Sequence, residues 1–221
     1  MWAKVEGVIL DLDGLVLDTE SGYWWSWKKA AESMGYVAPS ALRRSLLGRD
    51  ASEVRQGVLD CFGDGFEWAE FTRLSAFWWY RHVRERGIPV KRGLRRLLSL
   101  LEQNRIPYCL ATNSYRENAL ECLEFAGLGG RFNVMVARDD VRIGKPDPEI
   151  FQLASSRLAL EINRCLVLED SPCGVAGATS AGAFTVLVPS GLPMDRSARG
   201  LSDGECRDLL QVSECLRELW G

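Results

Sequence analysis

The residues from Val5 to Leu10 read as a strand buried on both faces, and the pattern breaks at two aspartates one residue apart, Asp11 and Asp13, followed by Gly14. A strand buried on both faces does not accommodate carboxylates, so the two acids fall just past its end, at an open rim. Beyond residue 90 strand-like and helix-like stretches alternate. Leu94, Leu97, Leu98 and Leu101 recur at i, i+3, i+4 and i+7 and predict a helix. Residues 107–111 predict a strand. Residues 115–127 predict a helix with Ala119, Leu120 and Leu123 inward, ended by Gly127. A short strand is expected over 133–137. Asp147-Pro148 then reads as an N-cap with proline at the first helical position, and Ile150, Phe151, Ala154 and Leu158 form that helix's buried stripe. Residues 165–168 predict another strand. Ser171-Pro172 repeats the capped start before a Gly- and Ala-rich helix. A strand over 183–188 and a helix marked by Leu209, Val212, Leu216 and Leu219 complete the series, with 193–204 expected as a polar surface loop. Strands alternating with helices predict an α/β fold, a parallel sheet covered on both faces.

Residues 16–90 break this rhythm. They hold no convincing strand, but Trp24, Trp27, Ala31 and Met34 share one helical face, and Trp68, Phe71, Leu74 and Trp78 share another. This segment reads as a helical subdomain inserted after the first strand, with connections near Gly14 and over 87–90. The tryptophan stripes are expected to be core. Tyr23, Trp25 and Trp79 lie off the stripes and are the positions open to a cleft; His82, beside Arg81, is expected to be solvated or packed.

Composition narrows the classes. A chain of 221 residues, 47% hydrophobic with a formal charge of −3, suits one compact core with an insertion and lacks the basic surface of a general nucleic-acid binder. Seven dispersed cysteines and a single histidine exclude a familiar zinc pattern and make a disulfide framework an unfavoured reading, so a reducing cytoplasm is the expected location. The start, M-W-A-K-V-E-G, shows no secretory pattern, no stretch is long enough to cross a bilayer, and a monomer is expected. One histidine also leaves acid–base work mainly to carboxylates.

Four polar features fall at the C-terminal ends of predicted strands or in the loops following them, where open parallel sheets bind ligands. They are Asp11/Asp13, Thr112-Asn113 in A-T-N-S, Lys145 in G-K-P-D-P, and Glu169-Asp170 in L-E-D-S-P. Two like charges about 4 Å apart repel by roughly 4 kcal/mol at an effective dielectric near 20, so the four acids call for a cation. An all-oxygen donor set without clustered His or Cys points to a hard ion such as Mg²⁺. Lys145, the Thr112 hydroxyl, the Asn113 amide and helix-start N–H groups suit anionic oxygens, and together these groups form a phosphate site in which a carboxylate can act as nucleophile.

With these motifs in order, the chain resembles the haloacid dehalogenase superfamily, in its branch of phosphatases and beta-phosphoglucomutase-like proteins with a helical cap. The first motif is matched as D-L-D-G-L-V-L-D-T-E. The resemblance implies a Rossmann-like core over 1–15 and 91–221 and a cap over 16–90. It implies Asp11 as the nucleophile forming an aspartyl-phosphate and Asp13 as the acid that protonates the leaving alcohol, then the base for water. Thr112 would bind the transferring phosphoryl group with Asn113 beside it, and Lys145 would neutralise charge. Asp11, Asp170 and the main-chain carbonyl of Asp13 would hold Mg²⁺, with Glu169 acting directly or through water. Arg49, in the cap segment L-L-G-R-D-A-S-E-V, is either a substrate contact or a surface arginine, and Arg116 is a similar candidate. The expected activity is hydrolysis of a small phosphomonoester, such as a sugar phosphate. The alternatives are a phosphomutase, whose relatives carry a histidine near the start of the cap where this chain has Tyr23, and a non-catalytic phospho-ligand binding protein.

Overall fold

The structure, a computed structural model, describes residues 5–46, 51–63, 65–190 and 196–220. The chain divides into two compact units, Thr19–Ile88 and the combination of Met1–Asp18 with Pro89–Gly221.

The smaller unit is helical. Its elements are α1 (Thr19–Ser33), α2 (Ser40–Leu46), α3 (Ala51–Phe62) and α4 (Trp68–Arg86), with α1 packed along α4. Ala30, Ala31, Leu42, Leu46, Val58, Phe66 and Phe71 form its core, and Trp24, Trp27, Met34, Trp68, Leu74 and Trp78 close over it. Both tryptophan stripes therefore do packing work. The off-stripe residues pack as well: Tyr23 stacks on Trp79, which is buried, and Trp25 stacks on His82 with ring centroids 4.5 Å apart. His82 is thus packed, and burial pushes its imidazole below the usual histidine range.

The larger unit is a parallel sheet of β1 (Gly7–Leu10), β2 (Tyr108–Ala111), β3 (Met135–Val136), β4 (Cys165–Glu169), β5 (Phe184–Leu187) and β6 (Gly204–Glu205), in the order β3-β2-β1-β4-β5-β6. β1 and β4 are buried along their whole length, which explains the apolar runs of β1 and of β4 as far as Leu168, before β4 ends on the buried Glu169. The helices are α5 (Leu94–Gln103), α6 (Arg116–Phe125), α7 (Glu149–Arg157), α8 (Pro172–Ala181), α9 (Arg196–Leu201) and α10 (Leu209–Trp220). The leucine stripe of α5 is fully buried, and α5 packs against α10. Ile150, Phe151 and Ala154 of α7 enter the core beside Ile9 and Val167.

Four expectations change. Pro148, not Asp147, stands at the N-cap of α7, although Asp147 Oδ1 still accepts from Glu149 N at 2.9 Å. Leu120 is exposed, and Cys122 takes the inward place on α6. Leu219 is partly exposed at the end of α10. The stretch expected as a loop over 193–204 includes α9, and β6 follows it; both are short and polar, so their burial pattern is too brief to show a period.

Register positions the chemistry. Leu10 pairs with Leu110 on one side and Leu168 on the other, so β1, β2 and β4 end level with one another. Successive connections run outward from β1 through β2 to β3, then return to β4 on β1's other side. This reversal opens a crevice at the carboxyl ends of the strands.

Candidate active site

Three of the polar motifs begin where β1, β2 and β4 run out, and the Lys145 motif lies in the loop between β3 and α7. The N–H of Asp11 still donates to Leu168 O at 3.1 Å, which holds its carboxyl at the crevice floor. Two residues on, Asp13 sits at a half-buried position, and Gly14 turns the chain with φ near +90°. A Cβ at Gly14 would overlap the Asp170 carboxylate, so glycine is required here both for conformation and for close approach.

Lys145 lies 134 residues from Asp11 in sequence, yet its Nζ donates to Asp11 Oδ1 and to Glu169 Oε1 at 2.5 Å each. All three groups are buried, with Glu169 wholly inaccessible. The ammonium also lies over the Phe151 ring, 5.2 Å from its centroid. Asn113 fixes the lysine's backbone, accepting from Lys145 N at 2.8 Å and donating to Lys145 O at 3.2 Å. Glu169 Oε2 accepts from Asp170 N, Ser171 N and Ser171 Oγ. Ser171 in turn caps α8 by accepting from Gly174 N, so the capped start read from Ser171-Pro172 also anchors the acid.

Asp11, Glu169 and Asp170 bring carboxylate oxygens within 4.8 Å of one another. Three buried acids against one ammonium leave two negative charges to be balanced, the charge of one divalent cation. Without it, burial pushes the Asp11 carboxyl up to about 8; Lys145 pulls it down, while Glu169 and Asp13 push it further up. The Lys145 ammonium is burdened by burial but held above the usual lysine range by Asp11 and Glu169. An all-oxygen set of this charge fits a hard divalent ion.

The other predicted positions are distributed as follows. Thr112 is buried, and its Oγ1 donates to Asp13 Oδ2 at 3.4 Å. Arg116 turns its guanidinium to Asp140 and to Met135 O. Arg157 joins the same two acceptors. Burial raises the Asp140 carboxyl, but the Arg157 hydrogen bond, the Ala137 N–H and the two arginine charges outweigh it and hold the group at about 2. Arg49 lies outside the described residues. Ser114 was not singled out in the sequence, yet its Oγ donates to Asp13 Oδ2 at 2.7 Å. The available signal was its spacing two residues after Thr112, the same alternation that joins Asp11 to Asp13.

The strand order and this buried lysine–carboxylate cluster define a doubly wound α/β protein with its site at the point where the chain reverses across the sheet. The haloacid dehalogenase-like hydrolase family model matches residues 5–182, and the chain belongs to that family. It is 32% identical over 192 residues to a protein named probable pseudouridine-5'-phosphatase from Drosophila melanogaster, covering 84% of this chain and 82% of that one. It is 33% identical over 178 residues to a phosphorylated carbohydrates phosphatase of Thermotoga maritima, covering 80% and 82%. A crystal structure of a Thermotoga maritima protein named as a beta-phosphoglucomutase superposes with a TM-score of 0.84 at 30% identity, covering 97% of this chain and 99% of that one.

Proposed function

We propose that the chain is a Mg²⁺-dependent phosphatase that hydrolyses a small phosphomonoester, such as a sugar phosphate, through an aspartyl-phosphate on Asp11. The observation that carries this reading is the buried Asp11–Lys145–Glu169 contact with Asp170 beside it, a cluster whose charge calls for a divalent cation and whose rim offers hydroxyl donors. The phosphatase names of two relatives over 30% identical support the same class.

Asp11, Asp170 and the Asp13 carbonyl would hold Mg²⁺, with Glu169 completing the negative set. Bound there, Mg²⁺ supplies positive charge that keeps Asp11 ionised and offsets the phosphoryl oxygens. Thr112 and Lys145 hold the phosphoryl group in line. Asp11 forms an O–P bond as the bond to the leaving oxygen breaks, and Asp13 delivers its proton to that oxygen. Asp13 then takes a proton from water as the water attacks phosphorus, which frees inorganic phosphate and restores Asp11. Asn113 contributes by fixing the Lys145 backbone. Arg116 contributes through Asp140, which ties the start of α6 to the end of β3. The helical unit, including Arg49, would select the substrate, and a monomer in the cytoplasm is part of the same proposal.

The test is phosphate release with Mg²⁺ from a panel of sugar and nucleotide monophosphates, run beside Asp11→Asn and Asp13→Asn. Turnover by wild type and loss in both variants is expected; no turnover on any member overturns the reading. The mutase alternative is read in the same panel, as sugar 6-phosphate formed from a 1-phosphate with a bisphosphate activator.

A further inference from the structure

We infer that Ser114 is a positioning residue for Asp13: its hydroxyl locks the carboxylate that shuttles the proton, an assignment that rests on the phosphatase reading above. Ser114 lies between β2 and α6 and is held from several sides. Its N–H donates to Thr112 Oγ1 at 3.0 Å, and its carbonyl accepts from Arg138 N at 3.0 Å. The next turn is fixed by Arg116 N donating to Asp139 Oδ1 at 3.0 Å. A hydroxyl on so fixed a backbone is a stationary donor. It meets Asp13 Oδ2 at 2.7 Å, the length of a charge-assisted O–H···O⁻ bond.

Asp13 stands past the end of β1, half-buried, where a backbone bridge to Leu17 and the Gly14 N–Leu17 O bond hold its main chain, and the Ser114 hydroxyl acts on its side-chain carboxylate. Thr112 also reaches Oδ2, but at 3.4 Å, and in the proposed reaction its proton turns to the phosphoryl oxygens. Ser114 then keeps the carboxylate fixed about its Cβ–Cγ bond while Asp13 gives a proton to the leaving oxygen and later takes one from water. A displacement of a catalytic group by even about 1 Å can lower a rate on the order of a hundredfold, which makes a single fixed hydroxyl consequential.

The experiment compares wild type, Ser114→Ala, Ser114→Thr, Asp13→Asn and the double variant Ser114→Ala/Asp13→Asn on two probes, p-nitrophenyl phosphate and glycerol 2-phosphate. Nitrophenolate leaves without protonation and the glycerol alkoxide does not. For Ser114→Ala, kcat/KM on glycerol 2-phosphate should fall about tenfold or more, and on p-nitrophenyl phosphate it should stay within about threefold. With p-nitrophenyl phosphate, kcat and KM should fall together by about tenfold, with a burst of nitrophenol, because only dephosphorylation still needs Asp13. Ser114→Thr should restore both, and Ser114→Ala should add less than about twofold to Asp13→Asn. A rise in KM with kcat unchanged, equal losses on both probes, or additive losses in the double variant would overturn the assignment. Inactivity of wild type on both probes would overturn the phosphatase reading itself.

Discussion

The most demanding consequence of the buried cluster concerns Lys145→Met. In the native protein the ammonium lies 2.5 Å from Asp11 Oδ1 and from Glu169 Oε1, with all three groups out of water. At an effective dielectric near 20, the contact between two unit charges 2.5 Å apart, as for Lys145 and Glu169, is worth about 6–7 kcal/mol of gross Coulomb energy. Desolvation offsets most of this, and removing one partner of a buried pair typically destabilises by about 3–5 kcal/mol. The expected loss for Lys145→Met is therefore about 3–5 kcal/mol at pH 7. Urea denaturation of both proteins in EDTA at pH 7 measures it. A gap below about 1 kcal/mol would refute the reasoning.

Three further outcomes are expected. Because a cation must displace the proton that Asp11 holds below about pH 8, Mg²⁺ affinity should rise by up to about tenfold per pH unit between pH 6 and 8, with proton release detectable by titration calorimetry in buffers of different ionisation enthalpy; pH-independent affinity would contradict this. Gly93 has φ near +93°, and a Cβ there would run into the backbone of Leu210, so Gly93→Ala should lose about 2–4 kcal/mol by chemical denaturation, and a loss under about 1 kcal/mol would show that α5 and α10 are not locked at this point. Asp140 is held at about 2, below its unfolded value, so its stabilisation is present above about pH 4 and lost as pH falls toward 2; Asp140→Asn should be about 1–2 kcal/mol less stable at pH 6, allowing for the part-exposed arginines, and the gap should close in acid, whereas a gap that persists at pH 2 would point to packing.

Much of this was legible in the chain because its strong signals are local. β1 is apolar throughout and β4 is apolar up to its terminal Glu169, and the leucines of α5 mark one helical face without ambiguity. The strand ends could be placed on a common edge from the alternation of strands and helices alone, which is what links Asp11 to a lysine in a distant loop. What escaped depends on geometry between segments. Arg116 and Arg157 both converge on Asp140 and on the same carbonyl, a meeting that no spacing announces. Leu120 faces solvent because the buried arc of α6 is narrow and Cys122 fills it. Asn113 carries the amide expected near a phosphate, but both side-chain bonds go to the Lys145 backbone, a partner visible only after folding. A serine before a helix ordinarily reads as a cap, while here the Ser114 hydroxyl is directed at Asp13.

The central claim is that Asp11 becomes phosphorylated during turnover. It is tested most directly by quenching the enzyme in acid during steady-state hydrolysis of p-nitrophenyl phosphate, reducing the acyl phosphate with borohydride, and mapping the product by peptide mass spectrometry. The expected result is homoserine in place of aspartate at position 11, dependent on Mg²⁺ and absent when substrate is omitted. Sustained turnover with position 11 unmodified, or with homoserine found at another acid, would contradict the account.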